Sequence, residues 1–146
     1  MQPLKISSEL GRALSIDYGM KRTGMAWTDV LKISINPLPT VDTQVFDQTL
    51  VTLIADNDIE IVVFGLSAHG DGVLTHVGEK VELLLKKYQT KFPDIVFTTI
   101  DESYTSVRAK DLMLELGVKK SERRKKEKVD QMSAVIILKD FLNSIG

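Results

Sequence analysis

Residues 12–35, RALSIDYGMKRTGMAWTDVLKISI, carry three short apolar stretches that decide the first part of the fold. Residues 12–18 are rich in apolar side chains. Residues 23–29 and 31–35 alternate between apolar and polar, which is typical of strands that bury one face. The segment 18–22, which joins the first two stretches, is short enough for a hairpin turn. The sequence therefore predicts a three-stranded antiparallel meander.

Two prolines follow the meander, and the pattern then changes. Pro37 and Pro39 are expected to end the third strand, because proline cannot donate a hydrogen bond to a neighbouring strand. Apolar residues at helical spacing then alternate with short, largely β-branched stretches. The predicted elements are a helix over 43–56, a strand over 59–65, a helix over 74–91, a strand over 95–100 and helices over 106–116 and 129–143. This order predicts an α/β fold with a five-stranded mixed sheet, in which the antiparallel meander and parallel strands are flanked by helices.

The composition is that of an ordinary globular domain. The chain has 146 residues, of which 43% are hydrophobic and 27% charged, and its net charge is −1. We therefore expect residues 1–146 to form a single domain. The absence of cysteine excludes disulfides, thiolate metal sites and cysteine nucleophiles. No apolar stretch approaches the roughly 20 residues of a membrane span, and the first twelve residues lack the apolar core of a secretory signal, so we expect a cytoplasmic protein.

Positive charge is concentrated in one segment near the end of the chain. Residues 119–128, KKSERRKKEK, contain seven Lys or Arg and two Glu, a local charge of +5, so the rest of the chain carries −6. Such an asymmetry favours an anionic partner that binds at one place. A solvated helix start or a loop would have the same composition. The candidate phosphate-binding residues of this segment are Arg123, Arg124, Lys125 and Lys126.

Acidic residues stand at the ends of predicted elements. Asp17 ends the first strand, Asp101 and Glu102 end the last strand, and Asp130 lies at the head of the final helix. If the first and last strands are neighbours, Asp17 and Glu102 project from one edge of the sheet, and the helix can bring Asp130 beside them. Crowded carboxylates repel one another, and a hard cation such as Mg²⁺ or Mn²⁺ stabilises them. Each acid alone also fits a turn or a helix cap. Tyr104, on the loop after Glu102, is a candidate for stacking on a nucleobase.

Glycines near these acids suggest contacts with phosphate. Gly19 and Gly24 bracket Lys21 and Arg22, and a glycine lets a phosphate backbone approach closely enough for the two cations to contact it. A hairpin turn with solvated cations fits the same residues. The loop 65–72 follows a strand and precedes a helix, where backbone amides can hold a phosphate.

Four motifs together resemble those of the YqgF family, whose members resemble Holliday junction resolvases and are associated with the processing of pre-16S rRNA. Residues 17–24, DYGMKRTG, resemble the family motif D-x-G-x-K-R-x-G, and residues 65–72, GLSAHGDG, resemble G-L-P-x-x-x-D-G. Residues 101–106, DESYTS, resemble D-E-R-x-T-T. The final block, 125–138, KKEKVDQMSAVIIL, resembles the ending K-K…D-x-x-A-A-x-x-I-L. The blocks occur in family order and span residues 12–142, nearly the whole chain.

The resemblance implies both a fold and an activity. It implies an RNase H-like fold and a metal-dependent nuclease in which Asp17, Glu102 and Asp130 are the catalytic residues and bind Mg²⁺ or Mn²⁺. It also implies a cytoplasmic protein that acts on structured nucleic acid, above all on the 5′ end of precursor 16S rRNA in ribosome biogenesis. Phosphates would then be held by Lys21, Arg22 and the basic segment.

This chain departs from the family pattern at a few positions. Ser67 replaces the loop proline, and Ser103 and Tyr104 replace an arginine and an aliphatic residue. Ser133 stands where alanine is usual. The missing arginine removes a phosphate contact, whereas all three candidate carboxylates are retained, so an enzyme is expected.

Three other functions remain open at this stage. A Holliday junction resolvase would act on branched DNA and would need a two-fold dimer, so the sequence allows a monomer or a homodimer. A non-catalytic RNA-binding assembly factor would bind ribosomal precursor particles through the basic segment, with strong salt dependence. An actin-like ATPase also opens with D-x-G, but it needs two such domains around its nucleotide.

Overall fold

The computed structural model describes residues 10–68, 72–102 and 105–146 and places five strands in one mixed sheet. The elements run in chain order β1 Arg12–Asp17, β2 Arg22–Thr28, β3 Ile35–Asp42, α1 Phe46–Asp56, β4 Ile59–Leu66, α2 His76–Lys91, β5 Val96–Asp101, α3 Thr105–Glu115, α4 Lys120–Arg123 and α5 Lys126–Ile145. A single 3₁₀ turn, Thr43–Val45, precedes α1. The predicted α/β architecture, a meander followed by parallel strands, is confirmed.

The strand order β3-β2-β1-β4-β5 places β4 at the centre of the parallel half. Strands β1 and β2 pair antiparallel, as do β2 and β3, whereas β4 pairs parallel with both β1 and β5. We expected Asp17 and Glu102 to meet if the first and last strands were neighbours. That condition is wrong, because β4 lies between β1 and β5. Residues 59–65 form a nearly continuous apolar run that is buried on both faces, and such a strand belongs between two others. The more polar β5 lies at the edge.

The third strand lies later in the chain than predicted. Residues 29–34 form a turn instead, in which the Asp29 carboxylate accepts hydrogen bonds from the amides of Ile33 and Ser34 at 2.7 and 2.9 Å. The strand itself contains both prolines. It tolerates them because it is the edge strand, whose outer side needs no donor, and because Pro39 lies at an irregularity in the pairing with β2.

The two faces of the sheet are covered by different side chains. Under α1 and α2 lies an aromatic face, where Phe46, Phe64, Tyr88 and Phe97 pack with the apolar side chains of β1 and β4. Under α5 lies a small-residue face. Its members in β1 and β2 are Ala13, Ser15, Gly24 and Ala26.

Helix α5 approaches the small-residue face very closely. The Ser15 hydroxyl donates a hydrogen bond of 2.6 Å to the backbone carbonyl of Ala134. A Cβ atom on Gly24 would overlap the carbonyl oxygen of Asp130, which leaves room only for glycine. At the edge of the sheet, Thr40 donates to the carbonyl of Glu127 at 3.0 Å. These contacts fix the first turns of α5 above the end of β2.

Helix α3 packs beside α5 and not on the sheet. Ala109 and Met113 of α3 are buried against Met132 and Ile136 of α5. Gly117, with φ of +71°, turns the chain after α3, as expected for a glycine at a helix end. The predicted final helix begins three residues earlier than expected, and the short α4 forms within the basic segment. In the described ranges, no helix is both long and apolar enough to cross a membrane.

Candidate active site

Asp17 ends β1 at the carboxyl edge of the sheet, where the parallel strands leave space between the helices that follow them. Its side chain lines a pocket of about 470 Å³ that also includes Glu102, and it remains partly accessible. Burial raises the pKa of the Asp17 carboxyl well above its usual range, and a hydrogen bond with Glu102 and the charges of Glu102 and Asp130 raise it further. The three acids therefore act on one another electrostatically.

Glu102 reaches Asp17 across the end of β4. Its backbone amide donates to the carbonyl of Leu66 at 3.1 Å, and the Thr105 hydroxyl donates to its Oε1 at 2.9 Å. Gly65 makes space for this side chain, since a Cβ atom there would lie 2.9 Å from Glu102 Oε2. Thr105, at the first turn of α3, thus fixes the orientation of the carboxylate.

Asp130 comes from the second turn of α5 and is held by Arg22. The Arg22 Nε atom lies 2.9 Å from Asp130 Oδ2, and both side chains are partly buried. Arg22 was expected to contact phosphate, and here its partner is the third acid of the site. Across the described ranges, no three acidic or histidine side chains are arranged to hold a metal ion as they stand.

The donor set nevertheless fits a hard divalent cation. Only carboxylate oxygens are offered, which suits Mg²⁺ or Mn²⁺. Burial, and after it the neighbouring acids Glu102 and Asp130, raise the pKa of Asp17, and a bound cation would favour its ionised form. Arg22 contacts Oδ2 of Asp130, and the second carboxylate oxygen of Asp130 is the one left to join such a cation while this ion pair stands.

The predicted basic residues fall into two groups. Arg22, Arg123, Arg124 and Lys126 line a second groove, which adjoins Asp130. Lys125 is not among its lining residues, and its ammonium group lies 2.9 Å from the carboxylate of Glu122.

The hairpin before β2 is held by hydrogen bonds from Thr43, in the 3₁₀ turn before α1. Lys21 is exposed there, and its backbone carbonyl accepts a hydrogen bond from the Thr43 amide at 2.9 Å. The Thr43 hydroxyl donates to the carbonyl of Gly19 at 2.7 Å. A Cβ atom on Gly19 would lie 2.5 Å from the carbonyl oxygen of Arg22. Gly19 thus serves the tight turn and Gly24 the approach of α5, and the close phosphate contact expected beside them stays a prediction.

Two residues of this edge, Tyr18 and Thr75, were not predicted, and a third, Ser67, belongs to the predicted phosphate-binding loop 65–72. Ser67, Thr75 and Tyr18 line the pocket beside Asp17 and Glu102. Thr75 caps α2 by accepting a hydrogen bond from the Gly78 amide at 3.0 Å. The Thr preceding a helical pattern is a sequence signal for such a cap. The predictions for Ser103, Tyr104 and part of the loop 65–72 lie outside the described residues.

Comparison with known proteins supplies the family. Residues 11–144 match the model of the RuvX family, described as Holliday junction resolvase. A protein from Bacteroides thetaiotaomicron is 35% identical over 135 residues, which cover 92% of this chain and 98% of that protein. A protein from Amoebophilus asiaticus is 39% identical over 142 residues, with 92% and 96% covered. Both are named "Putative pre-16S rRNA nuclease".

Two solved structures share the fold. The Holliday junction resolvase of fowlpox virus superimposes with a TM-score of 0.58 at 13% identity and covers 91% of this chain and 99% of that one. Thermus thermophilus RuvC, in complex with a Holliday junction substrate, gives 0.55 at 17% identity, with 93% and 96% covered. These likenesses confirm the RNase H-like fold. With the family match and the relatives that share a third or more of its residues, they lead to one conclusion: the chain belongs to the RuvX family of nucleases, the YqgF family that its four motifs resemble.

Proposed function

We propose that this chain is a Mg²⁺- or Mn²⁺-dependent endonuclease that cuts structured RNA, with the 5′ region of precursor 16S rRNA as its substrate. The observation that carries the proposal is the meeting of Asp17, Glu102 and Asp130 at the carboxyl edge of the sheet, where burial and mutual repulsion raise the pKa of Asp17. The names of the relatives supply the substrate. The substrate also sets the location, since rRNA precursors of bacteria are in the cytoplasm.

The three carboxylates would hold the metal, which activates water and stabilises the leaving oxygen when bound. Asp17 is central because its carboxyl interacts with those of both other acids. The Thr105 hydroxyl keeps the Glu102 carboxylate turned toward Asp17. Arg22, which pairs with Asp130 here, would also donate to a phosphate of the substrate and neutralise the incoming charge.

The three acids all lie on or directly after strands of one sheet, or on a helix that covers it. Asp17 and Glu102 follow strands of that sheet, while α5 packs on β1 and β2 and carries Asp130. We accordingly propose a single nuclease domain over residues 1–146.

The test is cleavage of precursor 16S 5′-leader RNA by wild type and Asp17→Asn, with Mn²⁺ or Mg²⁺ supplied. We expect Asp17→Asn to lose all measurable cleavage, because it removes the carboxylate that both other acids face. Asp94→Asn is the matched control: Asp94 is exposed in the turn before β5, at the opposite edge of the sheet, and its replacement should leave the rate unchanged. Full cleavage by Asp17→Asn would overturn the proposal.

The second candidate is resolution of four-way DNA junctions, favoured by the description of the matching family. The same assay, offered a four-way DNA junction beside the RNA, separates the two. Metal-dependent cutting of the junction alone, by a dimer in sedimentation, would replace the RNA substrate with branched DNA. Tight, salt-dependent RNA binding with no cutting of either substrate would identify a binding factor on ribosomal precursor particles.

A further inference from the structure

A groove of about 690 Å³ runs between α3 and the α4–α5 pair and opens beside the acids of the site. Arg22 and Asp130 form one end of it, so it is continuous with the catalytic edge. The other lining residues are Lys110, Leu114, Lys120, Arg123, Arg124, Lys126 and Val129. One of these cations, Lys110 on α3, was not a candidate from the sequence, whereas Lys120 on α4 belongs to the predicted basic segment 119–128.

The charge of this groove is almost entirely positive. Six cationic side chains line it against the single carboxylate of Asp130, which Arg22 already neutralises. Within residues 10–68, 72–102 and 105–146, no ion pair occupies Lys110, Lys120, Arg124 or Lys126. The groove therefore holds positive charge that the protein itself does not compensate, and it attracts a polyanion.

Both walls of the groove are fixed by packing. Buried side chains of α3 and α5 hold the two helices together. At the turn between α3 and α4, the Val118 amide donates to the carbonyl of Met113 at 3.0 Å. The Arg123 Nε donates to the carbonyl of Val118 at 3.1 Å, which anchors one of the cations at the wall. The cations thus project from a preformed channel, which lowers the ordering cost of binding.

The size and lining of the groove indicate what kind of nucleic acid fits. Its volume lies in the range of clefts that hold a drug-sized ligand, which is about the size of one or two nucleotides. Leu114, 57% exposed, and Val129 offer apolar surface to a sugar or base between the cations. A positively charged groove that follows the phosphate backbone is one part of the usual design for binding single strands; the contact surfaces for bases are usually aromatic, and here they are the aliphatic Leu114 and Val129.

We propose that this groove binds the phosphate backbone of a single-stranded segment next to the bond that is cut, and that Lys110 and Lys120 are its phosphate-binding residues on the α3 and α4 side. The proposal rests on the proposed function, because it assigns the path that a nuclease substrate takes away from the acids. It adds a second wall to the basic segment, which faces Lys110 across the channel.

The test compares binding by wild type, Lys110→Gln, Lys120→Gln and the double variant. Fluorescence anisotropy would use a labelled single-stranded RNA and a blunt RNA duplex, in EDTA so that nothing is cut, over a series of salt concentrations. Lys86→Gln is the matched control, since Lys86 is an exposed lysine of α2, on the opposite face of the sheet. Thermal melting of each variant verifies the fold.

We expect the double variant to bind the single strand about 10-fold or more weakly, and the slope of log affinity against log salt to fall by about 0.7 for each lost phosphate contact. Binding of the duplex and binding by Lys86→Gln should change little. Unchanged single-strand affinity in the double variant would overturn the proposal. An equal loss for the duplex would overturn the single-strand assignment.

A failure of the groove proposal can be told apart from a failure of the proposed function. If Asp17→Asn abolishes cleavage while Lys110→Gln and Lys120→Gln bind normally, the groove is rejected and the nuclease site stands. If the lysine variants lose single-strand binding but no cleavage is ever seen, the groove stands and the catalytic proposal fails. With an active enzyme, the double variant should raise KM and leave kcat close to that of wild type.

Discussion

The aromatic face and the small-residue face of the sheet are built from opposite kinds of side chain. On the aromatic face, Phe46 contacts Tyr88 and Phe64 edge to face, with ring centroids 6.4 and 6.2 Å apart. On the small-residue face, a glycine and a serine of β2 and β1 touch the backbone of α5 directly. One face fills space with large rings, whereas the other leaves space so that a helix can approach.

The difference follows from what each helix carries. Helices α1 and α2 contribute the aromatic side chains Phe46 and Tyr88 to the core. These rings fill the several ångströms between the helix backbones and the sheet. Helix α5 carries Asp130, which reaches Arg22 and the other acids only if the helix backbone lies against the sheet. The aromatic face therefore supplies mainly stability, and the small-residue face sets the geometry of the site.

The largest expected effect comes from closing the gap on the small-residue face. In Gly24→Val, the added side chain meets the Asp130 carbonyl, a backbone atom that can move only with α5. A displacement of about 1 Å at a catalytic group can cost about 100-fold in rate. We expect a loss of cleavage of about that size or greater, measured on the leader RNA under saturating metal.

Gly24→Ala is the graded companion of this variant, and circular dichroism separates loss of geometry from loss of fold. It places a single methyl group at the same point, so its cleavage rate should lie between those of wild type and Gly24→Val. Wild-type cleavage by Gly24→Val would show that the position of α5 does not control the site.

This contrast also explains which features the sequence alone could predict. The large apolar residues of β1 and β4 alternate or run together in the pattern of strands, so most element bounds lay within a few residues of those predicted. The third strand was misplaced, because prolines read locally as the end of a strand, and the tolerance of an edge strand is a property of the whole sheet.

The site was predicted in part for a similar reason. Asp17, Glu102 and Asp130 stand at ends of elements, which a sequence displays directly, and the fold brings them into mutual influence. The ion pair between Arg22 and Asp130 joins residues 108 positions apart and has no local pattern. Lys110 resembled any solvated lysine of an amphipathic helix until the packing of α3 on α5 placed it in a groove.

A smaller effect is expected on the aromatic face. Phe97 stacks on Tyr88 and Phe92, with centroids 5.7 and 6.1 Å apart, at the start of β5 and away from the acids. Phe97→Leu keeps most of the buried apolar surface but loses the ring contacts, so we expect a loss of about 1–2 kcal/mol in the free energy of unfolding. Denaturant unfolding measures it. The cleavage rate at a temperature where the variant is folded should match that of wild type. A loss of rate comparable to that of Gly24→Val would show that the aromatic face also sets the geometry of the site.

The smallest effect concerns the stability that the acidic edge costs the protein. Because the folded state raises the pKa of Asp17, the unfolded chain loses this proton first as the pH rises above the ordinary aspartate value of about 3.9. From there up to the raised pKa, the folded state binds more protons than the unfolded state, so the free energy of unfolding falls with rising pH and stays lower above it.

Asp17→Asn removes this loss in the free energy of unfolding. The variant should therefore melt at a higher temperature than wild type at pH 7 and show no such gain at pH 3. Added Mg²⁺ or Mn²⁺ should raise the melting temperature of wild type more than that of Asp17→Asn, because the cation stabilises the ionised, buried carboxylate that only wild type has. Equal melting temperatures of the two proteins at pH 7 would mean that the ionised Asp17 does not lower the free energy of unfolding. The small-residue face would then cost stability only through the close approach of α5.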